Sequence, residues 1–183
     1  MPSTNAYRIA SLPGDGIGPE VTHATFEVLK EVSDIHGGFS FKAEILAAGA
    51  ALYRDTGNGF PDTSRKTAAK ADAIYLGAMG LPEVRYEDGT EIAPQLDLRQ
   101  DLNLYAGVRP VRTYLGLPTP LAAPEAQELD FVIVRESTEG LFAERTQGTV
   151  ANDQVARDAL VITRPVCEKL FDFTFRLAER RID

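Results

Sequence analysis

The stretch LPGDGIGPEV, residues 12–21, closes an apolar run that opens at Tyr7, and within it residues 14–20 hold three glycines and a proline. Glycine lets a backbone pass close to a ligand, and a helix starting near Gly18 can face an anion or a polar amide. The dinucleotide fingerprint G-x-G-x-x-G fails here, because counting from Gly14 and Gly16 brings Pro19 to the third glycine position. No acidic residue closes a second short strand either, since Glu44 lies inside FSFKAEIL rather than at its end. On these residues alone a ligand-facing turn and a tight strand-to-helix turn without a ligand both stay open.

The flanking segments set the fold class. Pro19 suits a first helical position, where its missing N–H costs nothing, and Val21, Thr25, Val28, Leu29, Val32 and Ile35 are expected to form that helix's apolar stripe. FSFKAEIL alternates as a half-buried strand, with Phe39, Phe41, Ala43 and Ile45 on one side. Asp62, after Pro61, is expected to cap the helix TSRKTAAKAD, and AIYLGA reads as a buried strand running into glycine. LYAGVRPV and LDFVIVRE are two more strands, and the proline-rich stretch between them reads as a loop passing between subdomains. This alternation predicts an α/β protein with at least part of its sheet parallel.

Composition narrows the partners. Nineteen Lys and Arg against 27 Asp and Glu give a net charge of −8, with no basic run or basic, aromatic-interleaved patch, so no nucleic acid is expected. The chain has no apolar stretch near the ~18 residues that cross a bilayer, and its first seven residues are polar with no signal core behind them. A single cysteine, Cys167, rules out an internal disulfide and fits a reducing compartment, so the expected address is the cytoplasm, without membrane attachment.

Three arginines point to a ligand. Arg99 lies in LDLRQDLNLY, Arg109 in YAGVRPVR, and Arg135 ends FVIVR. The last two belong to strands that read as buried, where a guanidinium is costly unless it meets an acceptor. Its rigid fork matches carboxylates, so converging arginines specify a substrate with more than one of them. The competing reading is local pairing with Asp97, Asp101 or Glu136. Arg135 is the strongest candidate, because ligands in α/β folds gather at the carboxyl ends of strands.

In this order, LPGDGIGPEV, ADAIYLGA, LRQDLNLYAGVRPVR and VIVRESTEGLF resemble the β-decarboxylating dehydrogenase family of isopropylmalate, isocitrate, homoisocitrate and tartrate dehydrogenases. The resemblance implies an open α/β sheet of the isocitrate/isopropylmalate dehydrogenase type, not a Rossmann fold, in two subdomains spanning residues 1–104 and 105–183. It implies NAD or NADP, Mg2+ or Mn2+, and oxidative decarboxylation of a 2-hydroxy di- or tricarboxylic acid. Arg99, Arg109 and Arg135 match the family's substrate-carboxylate arginines. Ile17 in the Gly-rich turn, with Met79, Glu91 and Ile92, matches positions along the nicotinamide path. Isopropylmalate-like or tartrate/malate-like substrates rank ahead of isocitrate, because EIAPQLDL lacks the Ser or Thr that isocitrate enzymes use before the first arginine. Phe142 stands where most members have a catalytic tyrosine. A phenyl group donates no proton, so water or another side chain replaces that hydroxyl, or Phe142 merely packs.

In the family the catalytic lysine, the metal-binding aspartates and the adenosine loop lie further on, so no metal ligand is assigned within these residues. The chain is expected to be the N-terminal half of such an enzyme, probed against one alternative: a non-catalytic subunit or fragment that binds a partner chain. Residues 146–165 correspond to the arm with which family dimers clasp each other. The last helix carries two apolar stripes, Val166, Leu170, Phe173 and Leu177, and Phe171, Phe175, Ala178 and Ile182. A homodimer through arm and terminal helix is expected.

Overall fold

The computed structural model describes residues 5–123, 128–143 and 148–181. The chain divides into two compact units, Met1–Leu98 and Arg99–Asp183. The sequence reading put the division near residue 105. The segment before it goes with the second unit, where Leu104 N–H donates to Arg99 O at 2.9 Å and the Gln100 amide donates to Thr138 O at 2.6 Å.

In the first unit, β1 (Asn5–Gly14) lies between β2 (Phe39–Ile45) and β3 (Ala73–Ala78), and both pairings are parallel. A parallel pair needs a crossover. Helix α1 (Gly18–His36) supplies it between β1 and β2, and α2 (Ala50–Thr56) and α3 (Asp62–Ala68) lie between β2 and β3. As the central strand, β1 is covered on both faces: Ala10, Ser11 and Leu12 are each at most 1% exposed. Burying Leu12 alone is worth about 1.5–3 kcal/mol.

The edge strands are less covered than their sequences imply. Phe39 and Phe41 are half-buried, but Ala43 and Ile45 are exposed, and β3 is half-exposed rather than buried, because among the described residues neither strand has a neighbour on its outer side. Helix α1 also turns a different face inward. Gly18, Thr22 and Ser33 are buried and Phe26 and Leu29 half-buried, while Val21, Val28, Val32 and Ile35 face outward. Close packing decides this, with the hydroxyls of Thr22 and Ser33 satisfied by Gly18 O at 2.7 Å and Phe39 O at 2.8 Å. Phe26 packs between Phe41 and Tyr75, at 5.9 and 5.3 Å. Asp62 is the first residue of α3 rather than its cap. Pro61 holds the cap position, and Asp62 makes no capping bond there.

Helix α4 (Pro94–Asp101) leads to the antiparallel ribbon of β4 (Ala106–Arg112) and β5 (Asp130–Glu136). The proline-rich loop therefore joins two strands of one unit instead of passing between units. A short hairpin follows, β6 (Thr149–Ala151) and β7 (Val155–Arg157). Its loop is the three residues 152–154, with Asn152 and Asp153 both at φ 52° and the Gln154 N–H donating to Ala151 O at 3.1 Å. Helix α5 (Arg164–Glu179) turns Val166, Leu170, Phe173 and Leu177 inward and leaves Phe171, Phe175 and Ala178 exposed. Ile182 lies outside the described residues. Among the described residues, no helix is long and apolar enough to cross a membrane.

Candidate functional site

The Gly-rich turn is built around Asp15. This carboxylate is 4% exposed and accepts three backbone N–H groups: Ala50 at 2.7 Å and Ala51 at 2.8 Å, which start α2, and Gly80 at 2.8 Å, just past β3. A Cβ on Gly49 would stand 2.6 Å from both of its oxygens, so that position has to be bare. A Cβ on Gly14 would overlap Ala78 O, and one on Gly18 would overlap Pro13 O and come within 2.9 Å of Ala78 N. Two of the three glycines are thus used by the chain's own packing. The third, Gly16, has φ 55° and open space around it, and the adjoining Ile17 is 60% exposed. The tip of the turn is where a ligand has access.

An open cavity of about 380 Å³ lies beyond β3, lined among others by Met79, Arg85, Glu91, Ile92 and Gln95. Three of the four residues expected along the nicotinamide path therefore share one cavity, and Ile17 is not among its lining. Glu91 is largely exposed and pairs with Arg85 at 3.4 Å, while Arg85 also donates to Gly89 O at 3.2 Å. These contacts, with the Tyr86 ring 4.9 Å from that of Tyr53, hold the loop between Arg85 and Glu91 against α2. Ile92 is 1% exposed and forms a wall continuous with the core.

In the second unit the register of the ribbon decides which side chains share a face. Gly107 opposes Arg135, Arg109 opposes Ile133, and Val111 opposes Phe131. Arg109 and Arg135 are therefore diagonal neighbours on one face, a relation that places residues about 7–8 Å apart. Gly107 across from Arg135 leaves that guanidinium room. The ribbon's carboxylates, Asp130 and Glu136, stand on the opposite face, where Asp130 pairs with Arg112 at 3.8 Å and bonds to Arg181 after α5. Two guanidinium forks on one face match a ligand with two carboxylates.

Two of the local acids weighed as partners have described contacts of their own. Asp97 pairs with Arg65 at 3.0 Å. Glu136 accepts the Thr138 hydroxyl and N–H at 2.6 Å each and the Glu139 N–H at 2.8 Å. Burial pushes its carboxyl up, but the Thr138 hydroxyl and the N–H groups of Glu139, Thr138 and Ser137 outweigh that and hold it below the ordinary glutamate value. Glu139 in turn accepts the N–H and hydroxyl of Thr163, the residue capping α5, at 2.8 and 2.7 Å. Arg109 is exposed rather than buried, because among the described residues β4 has a single neighbouring strand. Arg99 is half-buried near the end of α4, and Arg135 is half-buried in β5.

Phe142 ends the 3-10 turn Gly140–Phe142, and its side chain lies outside the described part of the structure. Among the described residues, no group of three or more His, Cys, Asp or Glu side chains could hold a metal ion. Sequence reasoning missed the structural work of Asp15, Glu136 and Glu139. The available signal was an acid inside a glycine turn, and two acids in the polar segment RESTE that ends an apolar strand.

The family description Isocitrate/isopropylmalate dehydrogenase matches residues 8–183. A probable tartrate dehydrogenase/decarboxylase of Bacillus subtilis (strain 168) is 32% identical over 177 residues, and a 3-isopropylmalate dehydrogenase of Bacillus caldotenax is 38% identical over 182. Each alignment covers 96% of this chain and 49% of the relative, so the chain spans about half the length of the curated relatives it matches. The crystal structure of isocitrate dehydrogenase from Methylococcus capsulatus superposes with a TM-score of 0.78 at 28% identity, covering 96% of this chain and 48% of that one. With the strands, the glycine turn and the arginine ribbon in place and the match running almost end to end, the chain belongs to the isocitrate/isopropylmalate dehydrogenase family.

Proposed function

We propose that this chain supplies the substrate-carboxylate and nicotinamide-facing surfaces of an NAD(P)- and divalent-metal-dependent dehydrogenase. The reaction is oxidative decarboxylation of a 2-hydroxy di- or tricarboxylic acid, isopropylmalate-like or tartrate/malate-like. One observation carries the reading: Arg109 and Arg135 share a ribbon face from which the ribbon's own carboxylates are absent. Those guanidinium forks, with Arg99, hold the acid by its carboxylates and keep it oriented. Ile17, Met79, Glu91 and Ile92 receive the nicotinamide end of the cofactor, which when bound accepts the hydride. Phe142 offers no proton at the position of the family's tyrosine, so protonation there falls to water or another side chain.

The setting is a cytoplasmic homodimer. Its support is the outward stripe Phe171, Phe175 and Ala178 together with the hairpin arm. Phe175→Glu is expected to shift sedimentation equilibrium toward monomer, and an unchanged mass would remove this interface.

The deciding assay is NAD and NADP reduction with Mg2+ or Mn2+ against isopropylmalate, tartrate, malate and isocitrate. Turnover of one acid, lowered about a hundredfold by Arg135→Lys, is expected. Acid binding without turnover would return the chain to the role of a non-catalytic subunit.

A further inference from the structure

Arg99 stands in the last turn of α4, a helix of eight residues with a defined stop. Asn103 takes the left-handed conformation at φ 50°, its N–H donates to Gln100 O at 3.2 Å, and the Leu104 N–H donates to Arg99 O at 2.9 Å. This pair of bonds is a Schellman stop, and it fixes the backbone that carries Arg99. Two further bonds tie the same helix end to the turn behind Arg135. The Gln100 amide donates to Thr138 O at 2.6 Å, and the Ser137 N–H donates to Tyr105 O at 3.1 Å. That turn is itself held by the Glu136 carboxylate, which accepts the hydroxyl and N–H of Thr138 and the N–H of Glu139. Thr138 is nearly buried, whereas Gln100 is exposed. Ordering an exposed glutamine costs about as much as one hydrogen bond contributes, so this bond adds little net stability. What it sets is geometry.

We infer that Gln100 is a positioning residue for Arg99, a role that rests on reading these arginines as the carboxylate site of a hydroxy acid. By joining the end of α4 to the turn after β5, its amide holds the base of Arg99 at a set place relative to Arg135. Without that tie the acid has to order the helix end when it binds, and the cost of ordering is subtracted from its affinity.

The test is calorimetric titration of the full chain with malate, for the native protein, Gln100→Met, Arg99→Lys and the double variant, with amide hydrogen exchange followed at Leu104. Methionine keeps the length of the side chain and removes the donor. Gln100→Met is expected to weaken malate binding about fivefold and to speed exchange at Leu104. In the Arg99→Lys background the same change should weaken binding no further, because it acts through Arg99. A general loosening of the turn would reach Arg135 as well and would still weaken binding there. If Gln100→Met binds malate as the native chain does, or if the two losses add in full, the positioning role is overturned and the carboxylate reading stands. If the native chain does not bind malate, both fall together.

Discussion

A carboxylate that is 4% exposed needs donors, and Asp15 finds three backbone N–H groups from two different segments. It ties the glycine turn to the start of α2 and to the segment after β3. Asp15→Asn removes the charge and turns an NH2 group toward one or more of those N–H donors. It should cost about 2–4 kcal/mol in urea unfolding, and an unchanged midpoint would mean the turn holds without it. Glu136 carries a pH signature. Its folded-state value lies below the ordinary 4.5, so its contribution is fully present above that value and is lost as pH falls through the depressed one. The stability gap between the native protein and Glu136→Gln should therefore narrow between about pH 6 and pH 3. A gap that stays constant over that range would contradict the bonding described for the turn after β5.

Among the elements, the strand-turn-helix unit from β1 to α1 separates two uses of glycine. Gly18→Ala puts a methyl group into Pro13 O and Ala78 N, where the neighbours are backbone and cannot step aside. It is expected to cost about 3 kcal/mol or more. Gly16→Ala meets open space and carries only the strain of φ 55°, about 1–2 kcal/mol. Equal losses in thermal unfolding would show that conformation, not close approach, is what the turn requires. The order and type of these elements were legible from apolar periodicity and turn residues. The inward face of α1 was not, because Gly18, Thr22 and Ser33 are buried for their small size and satisfied hydroxyls while four larger aliphatic residues stay outside. The cover on β2 and β3 was equally hidden, since an apolar strand reads the same in the middle of a sheet and at its edge.

For the whole molecule, the family was legible from four segments in order, whereas the grouping of the arginines was not. Their cost as strand residues drew attention to them, although Arg109 is exposed. What joins Arg109 to Arg135 is the ribbon register, which a long proline-rich loop does not announce as a tight turn would. The cavity grouping of Met79, Glu91 and Ile92 arises from a loop folded back on itself, which periodicity cannot show. The central claim is that the two arginines on one face read two carboxylates of one acid. The most direct measurement compares malate with lactate, which lacks the second carboxylate, by calorimetry at low salt in the native chain, Arg109→Lys and Arg135→Lys. A native preference for malate of about tenfold or more is expected, and each substitution should largely remove it. Equal affinity for the two acids, or a preference that survives both substitutions, would contradict it.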